Sequence, residues 1–211
     1  MAIEPPQDLL DGYRRFRKNR FPLLAKRYRE LAEGQSPRTL VIACADSRVD
    51  PATIFAAAPG ELLVVRNVAN LVPPCERAGT YHGTSAALEF AIAKLGISKI
   101  VVLGHGLCGG IAVALEAAEE PPAGQFLAPW VTLMSEAREE VMRDASLPDA
   151  AARQKALEHL TIRQSLANLQ SFPFIREAVT EQRLALHGAW FSIAEGELHW
   201  LDQSSSAFVR M

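Results

Sequence analysis

The sequence predicts an α/β fold: a mostly parallel central sheet flanked by helices, with an N-terminal helical arm and a C-terminal edge strand. Three observations carry this. Short β-branched runs, Arg38–Ala43 (RTLVIA), Glu61–Asn67 (ELLVVRN) and Lys99–His105 (KIVVLGH), are apolar without in-out alternation, as strands buried on both faces are. Helical stretches lie between them, PATIFAAA after the first and Gly83–Gly96 before the third, which is the alternation of a parallel sheet with crossover helices. A long helix-rich stretch then leads to one more strand, LALHGAWFSI, a turn AEGE and an edge strand LHWLD.

In chain order, the first element is an arm. DLLDGYRRFRKNRF places Leu9, Leu10, Tyr13 and Phe16 at helical spacing, with basic residues opposite. Pro22 lacks a backbone N–H, so it opens a second short helix, PLLAKRYRELAEG, that stops near Gly34. The organisation is therefore a helical arm over residues 1–34 and one α/β domain over residues 35–211. An amphipathic arm must bury its apolar face, and a second subunit is one place to do so. The segments APWVTLMSEAREEVMRD, DAAARQKALEHLTIRQSLANLQ and PFIREAVTEQR read as helices, and EAAEEPPAG reads as a surface loop.

Composition narrows the function classes. The 211 residues are 49% hydrophobic and 22% charged, the mix of a folded globular chain. The net charge of −2 gives no general electrostatic reason to bind nucleic acid or an anionic membrane. No apolar run is long enough to cross a bilayer, and MAIEPPQDLLDGYRRF has no apolar core of a secretory signal, so a cytoplasmic location is expected. Three cysteines make no disulfide framework; metal binding or nucleophilic catalysis is the better question.

Two motifs carry chemistry. VIACADSRVDP runs a strand into Cys44, Asp46 and Arg48, with Pro51 opening a helix; VVLGHGLCGG runs a strand into His105 and Cys108 at a glycine-rich helix entry. Both follow the carboxyl ends of parallel strands, the edge where open α/β sheets bind ligands. Zn²⁺ is borderline soft and takes thiolate and imidazole, so Cys44 with the H-x-x-C pair His105 and Cys108 makes a three-ligand metal site. Three protein ligands with one position left over is the catalytic pattern; water or the Asp46 carboxylate fills the fourth place. Cys75, in LVPPCERAG with no partner nearby, is a small buried hydrophobe. The C-x-D-x-R spacing lets Asp46 and Arg48 meet as a charge-assisted pair that gates the site: paired, Asp46 leaves the metal open to water; released, it could ligate it. The structural alternative, a helix cap plus an ordinary salt bridge, suits Asp50 better than Asp46.

CADSRVDP, GELLVVRNVANLVPP, GTSAALEFA and LGHGLCGG, in this order, resemble the β-class carbonic anhydrases, strongly over Gln35–Gly110 and more loosely beyond, with a plant-type flavour in QSPRTL. The resemblance implies Zn²⁺ on Cys44, His105 and Cys108, Asp46–Arg48 as the catalytic dyad, and a substrate pocket of Gln35, Leu63, Val68, Phe90 and Gly109. It implies reversible hydration of carbon dioxide to bicarbonate and a proton through zinc-bound hydroxide. Hydrolysis of carbon disulfide or carbonyl sulfide on the same scaffold, or a non-catalytic zinc module, are the alternatives. The expected partners are the small-molecule substrate and a second copy of the chain, as a homodimer or dimer of dimers. Two departures stand out. Gly106 replaces a serine common after the histidine, and Val41 stands where a bicarbonate-inhibited subgroup has tryptophan, so the resting site is expected open, with Asp46 on Arg48.

Overall fold

The computed structural model describes residues 4–76, 82–117 and 124–211. The chain divides into two compact units, Met1–Ser36 and Pro37–Met211. In the first, α1 (Gln7–Arg15) and α2 (Phe21–Ala32) are joined by a π-helical turn over Phe16–Arg20. Pro22 sits in the first turn of α2, where its missing N–H has no partner to lose; the wider π turn just before it carries the chain past the ring. Phe16, Phe21 and Tyr28 cluster across the turn with ring centroids 5.6–6.1 Å apart. No described residue of this unit is fully buried, and Leu9, Tyr13 and Leu23 are exposed.

The second unit is built on β1 (Thr39–Cys44), α3 (Pro51–Ile54), β2 (Leu62–Asn67), α4 (Gly83–Ala93), β3 (Lys99–His105) and α5 (Gly109–Glu116). It continues through α6 (Leu127–Val131), α7 (Ser135–Arg143), α8 (Ala150–Leu169), α9 (Pro173–Thr180), β4 (Ala185–Ser192), β5 (Glu197–Asp202) and β6 (Ala207–Arg210). The strands form one sheet in the order β2-β1-β3-β4-β5-β6. The first three pairings in that order are parallel and the last two antiparallel. β1 and β3 are buried nearly end to end, as their unbroken apolar sequences require, while edge strand β2 alternates.

One sheet face carries Leu40, Ile42, Ile100, Val102 and Leu186 into a core shared with α4, α8 and α9. The other face carries Val41, Ala43, Val101, Leu103 and Ala189, with Phe55, Leu62 and Trp200 alongside. A third cluster, beyond the carboxyl ends of β1 and β3, includes Cys44, Cys108, Ile111 and Leu157.

Three sequence readings change in detail. The helix expected over PATIFAAA is a single turn, because Ala56 takes a left-handed φ of 48° and ends it. LHWLD is not the outermost strand: β6 pairs outside it, a four-residue strand too short to stand out after the serine run. APWVTLMSEAREEVMRD is broken by a 3₁₀ turn at Thr132–Met134. Residues 118–123 of the EAAEEPPAG segment lie outside the described residues. Among the described residues no helix is long and apolar enough to cross a membrane.

Candidate metal centre and its carboxylate–guanidinium pair

The sheet order reverses between β1 and β3: the chain leaves β1 for β2 on one side and returns to β3 on the other. A crevice opens beyond the carboxyl ends of strands at such a switch point. Cys44 is the last residue of β1 and His105 the last of β3, and the register pairs Ala43 with Leu103. Cys108 follows one turn later as the N-cap of α5.

The donor atoms of Cys44, His105 and Cys108 all lie within 4.8 Å of one another. The two sulfurs are 3.8 Å apart. That is far beyond a disulfide bond of about 2.05 Å. It matches two thiolates at about 2.3 Å from one tetrahedral ion, which stand roughly 3.8 Å apart. His105 completes the fit. Its Nδ1 is 2.9 Å from the Gly106 carbonyl, which can only accept, so Nδ1 carries the proton. Nε2 is buried without a hydrogen-bond partner and keeps its lone pair for a metal. The donor set, two soft sulfurs and one imidazole, suits zinc.

The surrounding backbone is arranged for charge on the sulfurs. Amides of Asp46 and Ala69 donate toward the Cys44 sulfur, and amides of Gly110 and Ile111, at the start of α5, toward that of Cys108. The two thiols share their proton: hydrogen bonding from Cys108 holds the Cys44 thiol well below the usual range, and the Cys44 thiolate in turn pushes Cys108 up. Ala69 and Asn70 both adopt left-handed φ values, 62° and 48°. Their turn is pinned by Asn67, whose amide both donates to and accepts from the Leu71 backbone at 2.8 Å. Gly110 lets α5 approach that turn, since a Cβ there would stand 2.7 Å from the Val68 side chain.

Asp46 and Arg48 form a two-pronged pair. Arg48 Nε donates to Asp46 Oδ1 at 2.9 Å and Nη2 to Oδ2 at 2.7 Å, and the Arg48 backbone N–H also donates to Oδ1 at 2.9 Å. Arg48 holds the Asp46 carboxyl well below the usual carboxylate range. The same guanidinium donates to the Leu107 carbonyl at 3.0 Å, tying the two ligand-bearing loops together; Leu107 presents that carbonyl from a left-handed φ of 56°. Asp50 is the helix cap, accepting from the Thr53 backbone at 2.9 Å. The two acids of the loop thus divide between pairing and capping.

The remaining sequence candidates are placed as follows. Gly109 opens α5 with open space where a side chain would stand. Val68, beside Gly110, and Phe90, on α4, are partly exposed. Leu63, on β2, packs against the core cluster of Leu40 and Leu88. Gln35 is exposed in the N-terminal unit. Cys75 packs against the core cluster of Leu40 and Leu88 but is only half-buried, less enclosed than the expected buried hydrophobe.

Sequence reasoning missed three residues. Arg66, at the end of β2, donates to the carbonyls of Cys44 (2.9 Å) and Asp46, and so holds the loop between ligand and acid. Its only signal is a charge closing an apolar strand. Glu158, on α8, and Trp190, on β4, meet behind Cys108: Glu158 accepts from the Cys108 amide at 3.1 Å and from Trp190 Nε1 at 3.0 Å. Glu158 is buried, which pushes its carboxyl up, and it lies too far along the chain from the motifs to be read with them.

Comparison with known proteins bears directly on this geometry. A family model described as carbonic anhydrase matches residues 39–198. Beta carbonic anhydrase 3 of Arabidopsis thaliana is 34% identical over 92% of this chain and 76% of its own length. The solved structure of the beta-carbonic anhydrase CcaA superposes with a TM-score of 0.89 at 33% identity, covering 97% of this chain and 98% of that one. A tetrameric beta-carbonic anhydrase from Sordaria macrospora superposes with a TM-score of 0.73 at 32% identity, covering 92% of each chain. With its two cysteines and one histidine at the tips of adjacent parallel strands, the chain belongs to the β-class carbonic anhydrases.

Proposed function

We propose that this chain hydrates carbon dioxide reversibly at a zinc ion held by Cys44, His105 and Cys108, with Asp46 and Arg48 as its catalytic pair. One observation carries the reading: two sulfurs at tetrahedral spacing face a buried imidazole nitrogen that has no other partner. Zinc so held supplies a Lewis acid that brings a water's pKa toward neutrality; the value of roughly 7 belongs to the three-histidine class of carbonic anhydrase, which has a different fold.

The chain's own residues then set the geometry of attack. Asp46 Oδ1 already accepts two N–H groups, whereas Oδ2 accepts one and keeps an acceptor position for the hydrogen of the attacking solvent. Because Arg48 keeps Asp46 ionised, Asp46 orients that solvent and does not itself take the proton. With Asp46 committed to Arg48, its carboxylate would leave solvent free to reach a zinc held by the three ligands, the open resting state. Val68 and Phe90 offer carbon dioxide an apolar flank, and the Gly109 amide offers a polar contact for its oxygens.

The assembly we favour is a homo-oligomer. The uncovered apolar side chains of the arm, Leu9, Tyr13 and Leu23, are suited to a second copy, and the Sordaria relative is tetrameric. Three unpaired cysteines, two of them at metal spacing, fit a reducing cytoplasm. The test is metal content measured with carbon dioxide hydration on purified protein. Wild type should carry about one zinc per chain. Cys44→Ala and His105→Ala should lose zinc and hydration together; full hydration by metal-free variants would refute the proposal.

A further inference from the structure

Behind the cysteine–histidine cluster lies a buried carboxylate that the proposed reaction does not use. Glu158 is 3% exposed. It takes part in none of the ion pairs among the described residues. Three N–H donors converge on it instead: the Cys108 amide (3.1 Å) and Gln154 Nε2 (3.2 Å) on Oε1, and Trp190 Nε1 (3.0 Å) on Oε2. Both carboxyl oxygens are thus used as acceptors, which an oxygen paired with an NH₂ group could not match.

A buried carboxyl is costly unless both of its oxygens are well satisfied. Satisfying the Cys108 amide alone needs no charge; a glutamine oxygen would serve. A carboxylate is demanded by the simultaneous presence of Trp190, because a glutamine turned to accept from Cys108 would face Trp190 Nε1–H with its own NH₂. The indole is itself fixed. Its strand position pairs with Gly104, its ring edge meets His159 at 5.3 Å, and Lys155 Nζ sits 5.0 Å over its face. The ligand turn is thereby held from two sides. Gly106 donates to the Phe191 carbonyl at 2.9 Å on β4, and Cys108 donates to Glu158 on α8.

We infer that Glu158, locked by Trp190, is a positioning residue that fixes the Cys108 end of the ligand turn and sets how tightly the site retains its metal. This rests on the zinc reading above. Residues outside the ligand set that orient ligands by hydrogen bonding change metal affinity by about 10–100-fold when replaced. The hydrogen bond here falls on the ligand's own amide, so distortion passes to the sulfur through three covalent bonds.

The experiment follows zinc release from the loaded protein into a colour-forming chelator, together with the thiolate-to-metal absorption of the cobalt-substituted protein. Three variants are compared with wild type: Glu158→Gln, Trp190→Phe and the double variant. Glu158→Gln should release zinc roughly tenfold faster and shift the cobalt bands. Trp190→Phe, which removes the indole N–H, should release zinc at least threefold faster. The double variant should be no worse than Glu158→Gln alone, because the NH₂ group no longer meets an N–H. A role confined to stability would lower the melting temperature of the variants and leave both metal readouts unmoved. Release within twofold of wild type with unshifted cobalt bands in both single variants overturns the inference. If Glu158→Gln does not fold, Trp190→Phe decides by the same two readouts. A wild-type protein that holds no zinc refutes the metal reading; a zinc-holding wild type with unaffected variants refutes only the role of Glu158.

Discussion

Replacing Gly106 by alanine should destabilise the protein, and Trp190 is the reason. Gly106 lies between the ligands His105 and Cys108. A Cβ there would sit 3.0 Å from Trp190 Cζ2 and 3.6 Å from Cη2. Carbon atoms make their best contact at about 3.5–4.0 Å, so the indole would have to give way by a few tenths of an ångström. The ring cannot simply withdraw, since Nε1 is held by Glu158 at 3.0 Å and His159 stands against its edge. Overpacking of this kind costs about 1–3 kcal/mol. In a chain of this size each kcal/mol moves the melting temperature by roughly 2–4 °C. Thermal and urea unfolding of the zinc-loaded protein, at one fixed concentration, should therefore show a clear loss for Gly106→Ala and the same or more for Gly106→Ser. In a Trp190→Phe background, where the outer ring atoms are gone, the penalty should fall to less than half. An equal penalty in both backgrounds, or none in the first, would refute the reasoning. The pairing also fits the departure at this position: with tryptophan at 190, a side chain after the histidine crowds the indole.

Asp46→Ala should retain zinc, by metal analysis, yet hydrate carbon dioxide about a hundredfold more slowly or worse, because the oriented acceptor is lost and the ligands are not; a rate within a few-fold of wild type would remove Asp46 from the mechanism. Arg48→Ala should let the Asp46 carboxyl climb back toward its ordinary range, visible as a carboxyl carbon titration by NMR, since Arg48 is the main cause of its depression. His159 is held down to about 4, first by burial and then by Lys155, Arg163 and His199. A base whose folded pKa lies below its unfolded value of about 6.5 loses stability as pH falls from there toward the folded pKa, here by at most about 3 kcal/mol. His159→Phe should accordingly flatten the dependence of unfolding free energy on pH between about 6.5 and 4.

The fold was legible where a segment's neighbours in space are dictated by its own pattern. β3 begins and ends where KIVVLGH does, and β1 and β2 start one residue later than their runs suggest. The β1 and β3 runs are apolar on both faces, as a sheet interior requires, whereas β2 has a similar run yet takes the sheet edge and alternates. Where a backbone angle at one residue decides the outcome, the sequence says less. Alanine has no reason to adopt φ 48°, yet Ala56 does and cuts α3 to one turn. β6 is four residues long with one half-buried side chain, so no periodicity announces it; it exists because β5 offers an open edge.

The candidate site divides along the same line. Cys44, Asp46 and Arg48 sit within five residues, and His105 and Cys108 within four, so short-range spacing puts each group on one loop and the strand order supplies the rest. Glu158 and Trp190 come from elements that follow the second motif by 50 and 82 residues and meet each other and Cys108 only through packing. The sequence does hold one trace of them, in the glycine at 106. A small residue between two metal ligands reads as a flexible turn until the structure shows an indole occupying the missing side chain's space. Gly106, Trp190 and Glu158 thus form one unit: the indole excludes a side chain from the ligand turn, its N–H requires a carboxylate, and that carboxylate holds the ligand's amide. Changing any one of them alone leaves the other two mismatched.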